Sequence, residues 1–378
     1  MFKLGIGKQR RNIEVSKLFK HAGLLGAVLG TAMLVGGPAN ALSMKGDEIT
    51  LRMGSGHPPF INYVKYMSEF FAPKVKERVE KETKYKINFK EHYSGTVVNV
   101  FDTLEGVQDG RLDIGGWCVC FDDDKAMAMN ITYFVPFAEP DGMKQVKTMA
   151  RLMKEFPELY QDYEKRYKQK LLAQGGFGNY GLLTAFDWNT FQDLKGRKIL
   201  AAGPNLPWVK GGIPVRTTIP KAAQQLQTGV GEGIVLFPDT DFKLKLHEAT
   251  KGGVYTVTDF GNVIQNSLTM NLRTRSKLPP EVVKIIDEVA LEWAIKHTQA
   301  AVDDHQWGLD MLAKEGVKIK KIDPAAKKAW AEQLRDWPNE RAQAVKAKKG
   351  IDMPKIMKAY IKYMEEAGHK LPINYPIK

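Results

Sequence analysis

An α/β fold of two units facing each other across a hinged cleft is predicted by three observations. Strand and helix patterns alternate from Ile49 to Trp117, and a second alternating series opens near Leu171. Two strong strand patterns, Val254–Val257 and Ser267–Leu272, then carry the chain back across the junction. Strand, helix, strand at this spacing is the signature of a parallel sheet covered by helices.

Ile49-Thr50-Leu51-Arg52-Met53-Gly54 alternates and runs into a His57-Pro58-Pro59 loop, which makes it the first strand. From Tyr63 to Lys81 apolar residues fall at helical spacing: Val64, Met67, Phe70, Phe71, Val75 and Val79. Tyr85 to Tyr93 reads as strand, Val97 to Gln108 as helix with Val100, Leu104 and Val107 on one side, and Asp113 to Trp117 as strand. In the second unit the expected strands are Leu182–Phe186, Lys198–Ala202 and Gly233–Leu236, with a helix over Ile219–Thr228 that has Pro220 in its first turn. Beyond Pro280 the pattern is helical, with a long run from Glu281 to Met311 and an amphipathic helix over Ile356–Glu366 introduced by Pro354. The predicted organisation is a first domain over 42–172 completed by 258–280, a second over 173–257, and a helical region over 281–378 that braces both. Open α/β sheets bind ligands beyond the carboxyl ends of their strands, and clefts between domains are favoured pockets.

The first 41 residues read as a secretory leader. Lys3, Lys8, Arg10, Arg11, Lys17 and Lys20 precede an apolar Gly/Ala-rich run over Ala22–Gly37, and Pro38-Ala39-Asn40-Ala41 places small residues at the cleavage positions. The run is short for a bilayer span, and no later stretch approaches the length required. The mature protein is expected to be soluble and outside the cytoplasm, away from ATP-driven and most nicotinamide chemistry. The formal net charge of +13 belongs partly to the leader, and the rest is scattered along the chain. A positive surface steers anionic solutes or meets an anionic membrane. Without a zinc-finger or recognition-helix motif it does not indicate nucleic acid. The basic segment Lys346-Ala347-Lys348-Lys349 reads as solvated or as a contact for a membrane partner.

Catalytic and cofactor motifs do not emerge. There is no Gly-x-Gly-x-x-Gly opening a βαβ unit, no phosphate loop and no His-Glu-x-x-His. Gly229-x-Gly231-x-Gly233 follows a helix and precedes a strand, the reverse of a nucleotide loop. Asp122-Asp123-Asp124 reads as a helix cap or solvated turn, with a cation site as the alternative. Cys118 and Cys120 read either as packed thiols or as a close disulfide, and two ligands are too few for a metal. No catalytic residue, metal or cofactor is assigned.

Asp193-Leu194-Lys195-Gly196-Arg197-Lys198-Ile199 resembles the core signature of solute receptors of tripartite ATP-independent periplasmic (TRAP) transporters, the dicarboxylate-receptor type. Gly110-Arg111-Leu112-Asp113-Ile114-Gly115, Ala223 to Val230, Thr258-Asp259-Phe260-Gly261 and Leu278 to Val283 follow in the family's order. The resemblance, over about residues 49 to 300, implies a two-domain periplasmic binding protein with a hinged cleft, crossing strands and a long bracing helix. It implies a monomer or dimer that captures a small molecule and delivers it to the membrane subunits of an ion-driven permease, without covalent chemistry.

Two departures bear on the ligand. The family motif continues to an Arg that clamps a substrate carboxylate, where this chain has Leu200. The stretch resembling the family's second, amide-bearing motif reads Val230 to Leu236. A branched hydrocarbon cannot supply paired donors to an acid. An apolar or aromatic ligand with a polar end is therefore expected, with an organic acid held by a relocated arginine, Arg216, or a periplasmic enzyme on the same scaffold as the alternatives. The candidate contacts are Trp117, Phe121, Phe177, Tyr180, Trp208 and Phe237 as apolar walls. Leu200 and Leu236 stand at the altered motifs, Asn179 and Asp239 are polar anchors, and His57 lies in the loop after the first strand.

Overall fold

The computed structural model describes residues 42–378 apart from Ala202 and Gly252. The expected leader lies outside the described residues. A short hairpin, β1 (Ser43–Lys45) and β2 (Glu48–Gly54), turns at Gly46, whose φ of 60° suits glycine. Next come α1 (Asn62–Tyr66), a π turn over Met67–Phe71, and α2 (Ala72–Glu82) in direct succession. Val64, Met67, Phe71, Val75 and Val79 are buried, as their spacing predicts. β3 (Lys86–His92) pairs in parallel with β2. α3 covers only Thr103–Gln108 of the helix expected from Val97. Asn99 and Asp102 accept the backbone N–H groups of Phe101 and Asn99, and these local turns displace the helical ladder. β4 (Ile114–Cys118) follows, parallel to β2. Asp113 ties the junction together by accepting from Arg52 N–H at 2.7 Å and the Thr274 hydroxyl at 2.6 Å.

After α4 (Gly142–Glu155) and α5 (Glu158–Tyr167), β5 (Gln169–Asn179) runs through the region expected to open the second unit. It stays in the first sheet, and the crossing comes at Tyr180. The second sheet begins with β6 (Gly181–Thr184), β7 (Lys198–Ala201) and β8 (Ile213–Arg216). It continues through α6 (Ile219–Gln227), β9 (Gly233–Leu236), α7 (Pro238–Lys243), α8 (Leu246–Ala249) and β10 (Val254–Val257). β11 (Asn262–Asn271) returns to the first sheet between β4 and β5, antiparallel to both. The order there is β1-β2-β4-β11-β5, with β3 on the other side of β2. The sheet is therefore mixed rather than parallel.

α9 (Leu272–Arg275) leads into α10 (Pro280–Lys314), a helix of 35 residues that packs on β5 of the first sheet and α7 of the second unit. This is the expected brace. Trp293 anchors it by donating its indole N–H to the Tyr63 carbonyl at 3.2 Å. β12 (Lys318–Lys321) completes the second sheet, β12-β10-β6-β9-β7-β8. α11 (Pro324–Gln333), α12 (Trp337–Lys349) and α13 (Met353–Glu366) close the chain.

The two crossings are stapled together. Asn179 donates to Asp259 at 2.9 Å and accepts from Gly261 N–H at 3.1 Å, while the Thr258 hydroxyl donates to the Tyr180 carbonyl at 3.0 Å. These bonds tie the two crossing segments to each other. Among the described residues no helix is long and apolar enough to cross a membrane.

Candidate functional site

The carboxyl end of β4 in one sheet meets that of β7 in the other. The turn Val119–Phe121 after β4 touches the turn Gly203–Trp208 after β7. Gly203 adopts φ 61°, and a Cβ there would sit 3.9 Å from the Cys120 carbonyl oxygen. Cys118 and Cys120 form a disulfide within this turn, resolving the two readings of the pair.

On the first-unit side Ser55, His57, Tyr63, Thr103, Trp117 and Phe121, among others, line a shallow recess too narrow to enclose a water molecule. Pockets for small ligands are generally about 300–1,000 Å³, so the recess in this conformation does not hold a solute. The Tyr63 hydroxyl is the hub of the recess, 3.0 Å from Ser55 Oγ and 2.9 Å from His57 Nδ1. Burial lowers the His57 pKa to about 4, so the ring is neutral at ordinary pH. The Phe121 ring meets the His57 ring edge-on at 5.4 Å, and the exposed Phe101 continues that ladder at 5.3 Å. Trp117 backs the recess, buried and stacked on Tyr163 at 5.7 Å.

The other candidate aromatics form a single wall at the strand crossing, with Tyr180, Trp208 and Phe237 buried in the main core and Phe177 packed against it. Phe237 lies 4.7 Å from Phe177 and 4.1 Å from Tyr180, and Tyr180 stands edge-on to Trp208 at 5.6 Å. Trp208 donates its indole N–H to the Tyr133 carbonyl at 3.1 Å. The Tyr133 hydroxyl donates to Gln265 and lies 3.2 Å from that of Tyr180. The structure thus sorts the predicted residues into a polar-edged recess (His57, Trp117, Phe121) and an aromatic wall (Phe177, Tyr180, Trp208, Phe237).

The remaining candidates lie elsewhere. Asn179 serves the crossing staple. Leu200 is wholly buried against Gly231, at the amino end of β9, so its side chain turns toward α6 and away from the strands' carboxyl ends. Leu236 is buried at the end of β9, where its carbonyl accepts from Tyr255 OH at 3.1 Å. Asp239 is ion-paired with Lys243 at 3.0 Å, and burial raises its pKa. Arg216 is exposed at the carboxyl end of β8, with no acidic partner among the described residues. Asp122, Asp123 and Asp124 pair with Lys125, Arg341 and Lys348. Among the described residues no group of three His, Cys, Asp or Glu side chains could hold a metal ion.

Comparison with known proteins places this geometry. The model of bacterial extracellular solute-binding protein family 7, DctP, matches residues 65–343. The chain belongs to that family. Its fold is similar to that of a TRAP periplasmic solute-binding protein from Desulfovibrio salexigens, solved as an open complex, at TM-score 0.71 and 20% identity over 85% of this chain and 97% of the other. It is similar to one from Bordetella bronchiseptica with bound (R)- and (S)-mandelate (TM-score 0.70, 17% identity, 84% and 99% covered). A third, from Rhodoferax ferrireducens with copurified benzoate, gives TM-score 0.69 and 18% identity with 84% and 98% covered. This DctP-type receptor is a transport protein, not an enzyme.

Several polar groups of the receptor's candidate site escape sequence reasoning. Asn205, in the turn facing Cys118–Phe121, is buried with its side-chain oxygen unpartnered. Such an acceptor is uncommon in a finished core and suits a solute donor. Ser55 meets Tyr63, and Tyr133 meets Gln265, only in space. The Gly203-Pro204-Asn205 turn directly after β7 was the one local signal.

Proposed function

We propose that this receptor works in the periplasm, where it captures a small organic acid with an apolar or aromatic body and delivers it to a secondary-active TRAP permease. The observation that carries the reading is Arg216, an exposed guanidinium at the carboxyl end of β8 without an acidic partner among the described residues. A planar guanidinium binds a carboxylate through two parallel hydrogen bonds. The wall formed by Phe177, Tyr180, Trp208 and Phe237 supports the apolar body, because aromatic faces add contact area. The neutral His57 ring and the Asn205 oxygen are the polar groups offered to the rest of the ligand. The proteins of similar fold with bound mandelate and benzoate carry ligands of this kind.

A wholly apolar ligand finds less support. That reading leaned on Leu200 standing where a clamp would be, and Leu200 faces the core of its own unit. Native mass spectrometry of the gently purified receptor tests the proposal. The expected copurified solute is a monocarboxylate with a ring or short hydrocarbon body, and a neutral solute would overturn the acid assignment.

A further inference from the structure

Positive charge that looks scattered in the sequence gathers on two packed helices. On α4, Lys144, Lys147, Arg151 and Lys154 fall three and four residues apart and are all exposed, while Gln145, Val146, Met149 and Leu152 face the core. On α13, Lys355, Lys358 and Lys362 repeat the spacing and exposure, with Ile356, Met357, Tyr360 and Met364 buried. The helices are in contact: Arg151 lies over the Tyr363 ring at 3.6 Å and Gln145 bonds the Tyr360 hydroxyl. Arg151 and Lys362 share Glu366, at 2.5 and 3.8 Å. Of the acids at the helix ends, Asp141 caps α4, Glu155 accepts from Tyr363 and Asp352 pairs with Lys346, while Glu365, three residues past Lys362, is exposed. Lys144, Lys147, Lys154, Lys355 and Lys358 have no acidic partner among the described residues.

We propose that this face of α4 and α13 docks the receptor on an anionic phospholipid surface. Specific protein interfaces are depleted in lysine and anchored by Tyr, Trp and Arg. Here the exposed face is lysine plus Arg151, which Glu366 and the Tyr363 ring already engage, without an exposed aromatic anchor among the described residues, the composition that responds to a sheet of negative headgroups. Docking of this type is weak, reversible and salt-sensitive, because screening shortens the reach of each charge. It confines the receptor to the membrane surface and leaves the candidate-site residues uninvolved.

Vesicle flotation tests this. The purified receptor is mixed with phosphatidylcholine vesicles, with and without 30% phosphatidylglycerol, at about 20 mM and about 500 mM salt, the second shortening the Debye length to a few ångströms. Binding is expected only with phosphatidylglycerol at low salt. Lys→Ala at 144, 147, 154, 355 and 358 together should reduce it at least tenfold. The same change at the exposed Lys81, Lys86, Lys90, Lys277 and Lys328, which removes equal charge elsewhere, should reduce it less than threefold. Thermal melts confirm that both variants fold. Equal loss in the two variants, binding to neutral vesicles alone, or capture by permease subunits without any vesicle binding would each overturn the proposal. Solute titration of the same variants is read separately, so a failure here leaves the receptor reading intact.

Discussion

Lys243 and Asp304 lie 3.3 Å apart, an ammonium of the second unit against a carboxylate on the bracing helix. Asn62, of the first unit, donates to the same carboxylate oxygen at 3.1 Å. Asp304 therefore joins both units at the mouth of the fold, and the backbone of Asp239 packs directly on Gly308 one turn further along α10. Contacts that bridge the two units in this way bias the receptor toward the conformation in which they form. The groups are half-exposed, and such pairs contribute roughly 0.2–1 kcal/mol. Asp304→Ala should weaken solute binding about two- to fivefold by calorimetry, without altering any residue of the recess. An unchanged affinity would show that the junction does not bias the binding conformation.

Trp117 supports the recess from behind. Its indole is buried and stacked on Tyr163, with Leu104, Val119 and Met129 in the same cluster. Truncating a buried Trp typically costs about 3–5 kcal/mol. Trp117→Ala should lower the urea midpoint accordingly, and Trp117→Phe should recover most of the loss. A fully stable alanine variant would show that this packing is looser than described.

The sequence reveals the periodic parts of this molecule and hides those decided by distant partners. β9, β10 and the brace fall where the apolar runs and helical spacing place them, the two strands buried on both faces and the brace along one stripe. β5 was harder to place, since Gln169–Asn179 contains three glycines and is buried along most of both faces. It belongs to whichever sheet supplies its partner, and β11 supplies it. β12 reads Lys-Ile-Lys-Lys, a polar edge strand that only its parallel pairing with β10 reveals. At the candidate site the aromatic residues were legible as a class. Their division into recess and wall was not, nor was the turning of Leu200 toward Gly231, because one residue of strand pattern does not state which neighbour the side chain meets.

Acid should destabilise the receptor through two histidines. His297 on the brace is buried with neither ring nitrogen bonded, and burial lowers its pKa from 6.5 to about 3. His57 falls to about 4 for the same reason. Below pH 6.5 the unfolded chain takes up protons that the folded chain refuses. Stability therefore falls as pH drops through that point and stops falling only below the folded values. Each buried histidine contributes a slope of at most about 1.4 kcal/mol per pH unit. Denaturant melts between pH 7 and 4 should show the decline, and His297→Gln should make it shallower. An identical slope in that variant would contradict the assignment.

Asp241 has the opposite sign. Its carboxyl is wholly buried with both oxygens unpartnered, and burial, reinforced by Asp239, raises its pKa. The folded state holds a proton that the unfolded state gives up above its ordinary value of 3.8, so stability declines as pH rises from there toward the folded value. Asp241→Asn should raise the melting temperature, and by more at pH 8 than at pH 5. A lower melting temperature at pH 8 would point to a partner for the ionised carboxylate.

The acid-receptor account is tested most directly by calorimetric titration with benzoate and with benzyl alcohol, its neutral counterpart, on the wild-type receptor and on Arg216→Gln. The account predicts that benzoate binds at least tenfold more tightly than the alcohol, and that the substitution removes about 1.5–3 kcal/mol of that affinity, the range of a hydrogen bond to a charged group. Preference for the alcohol, or benzoate binding that is indifferent to residue 216, would contradict it.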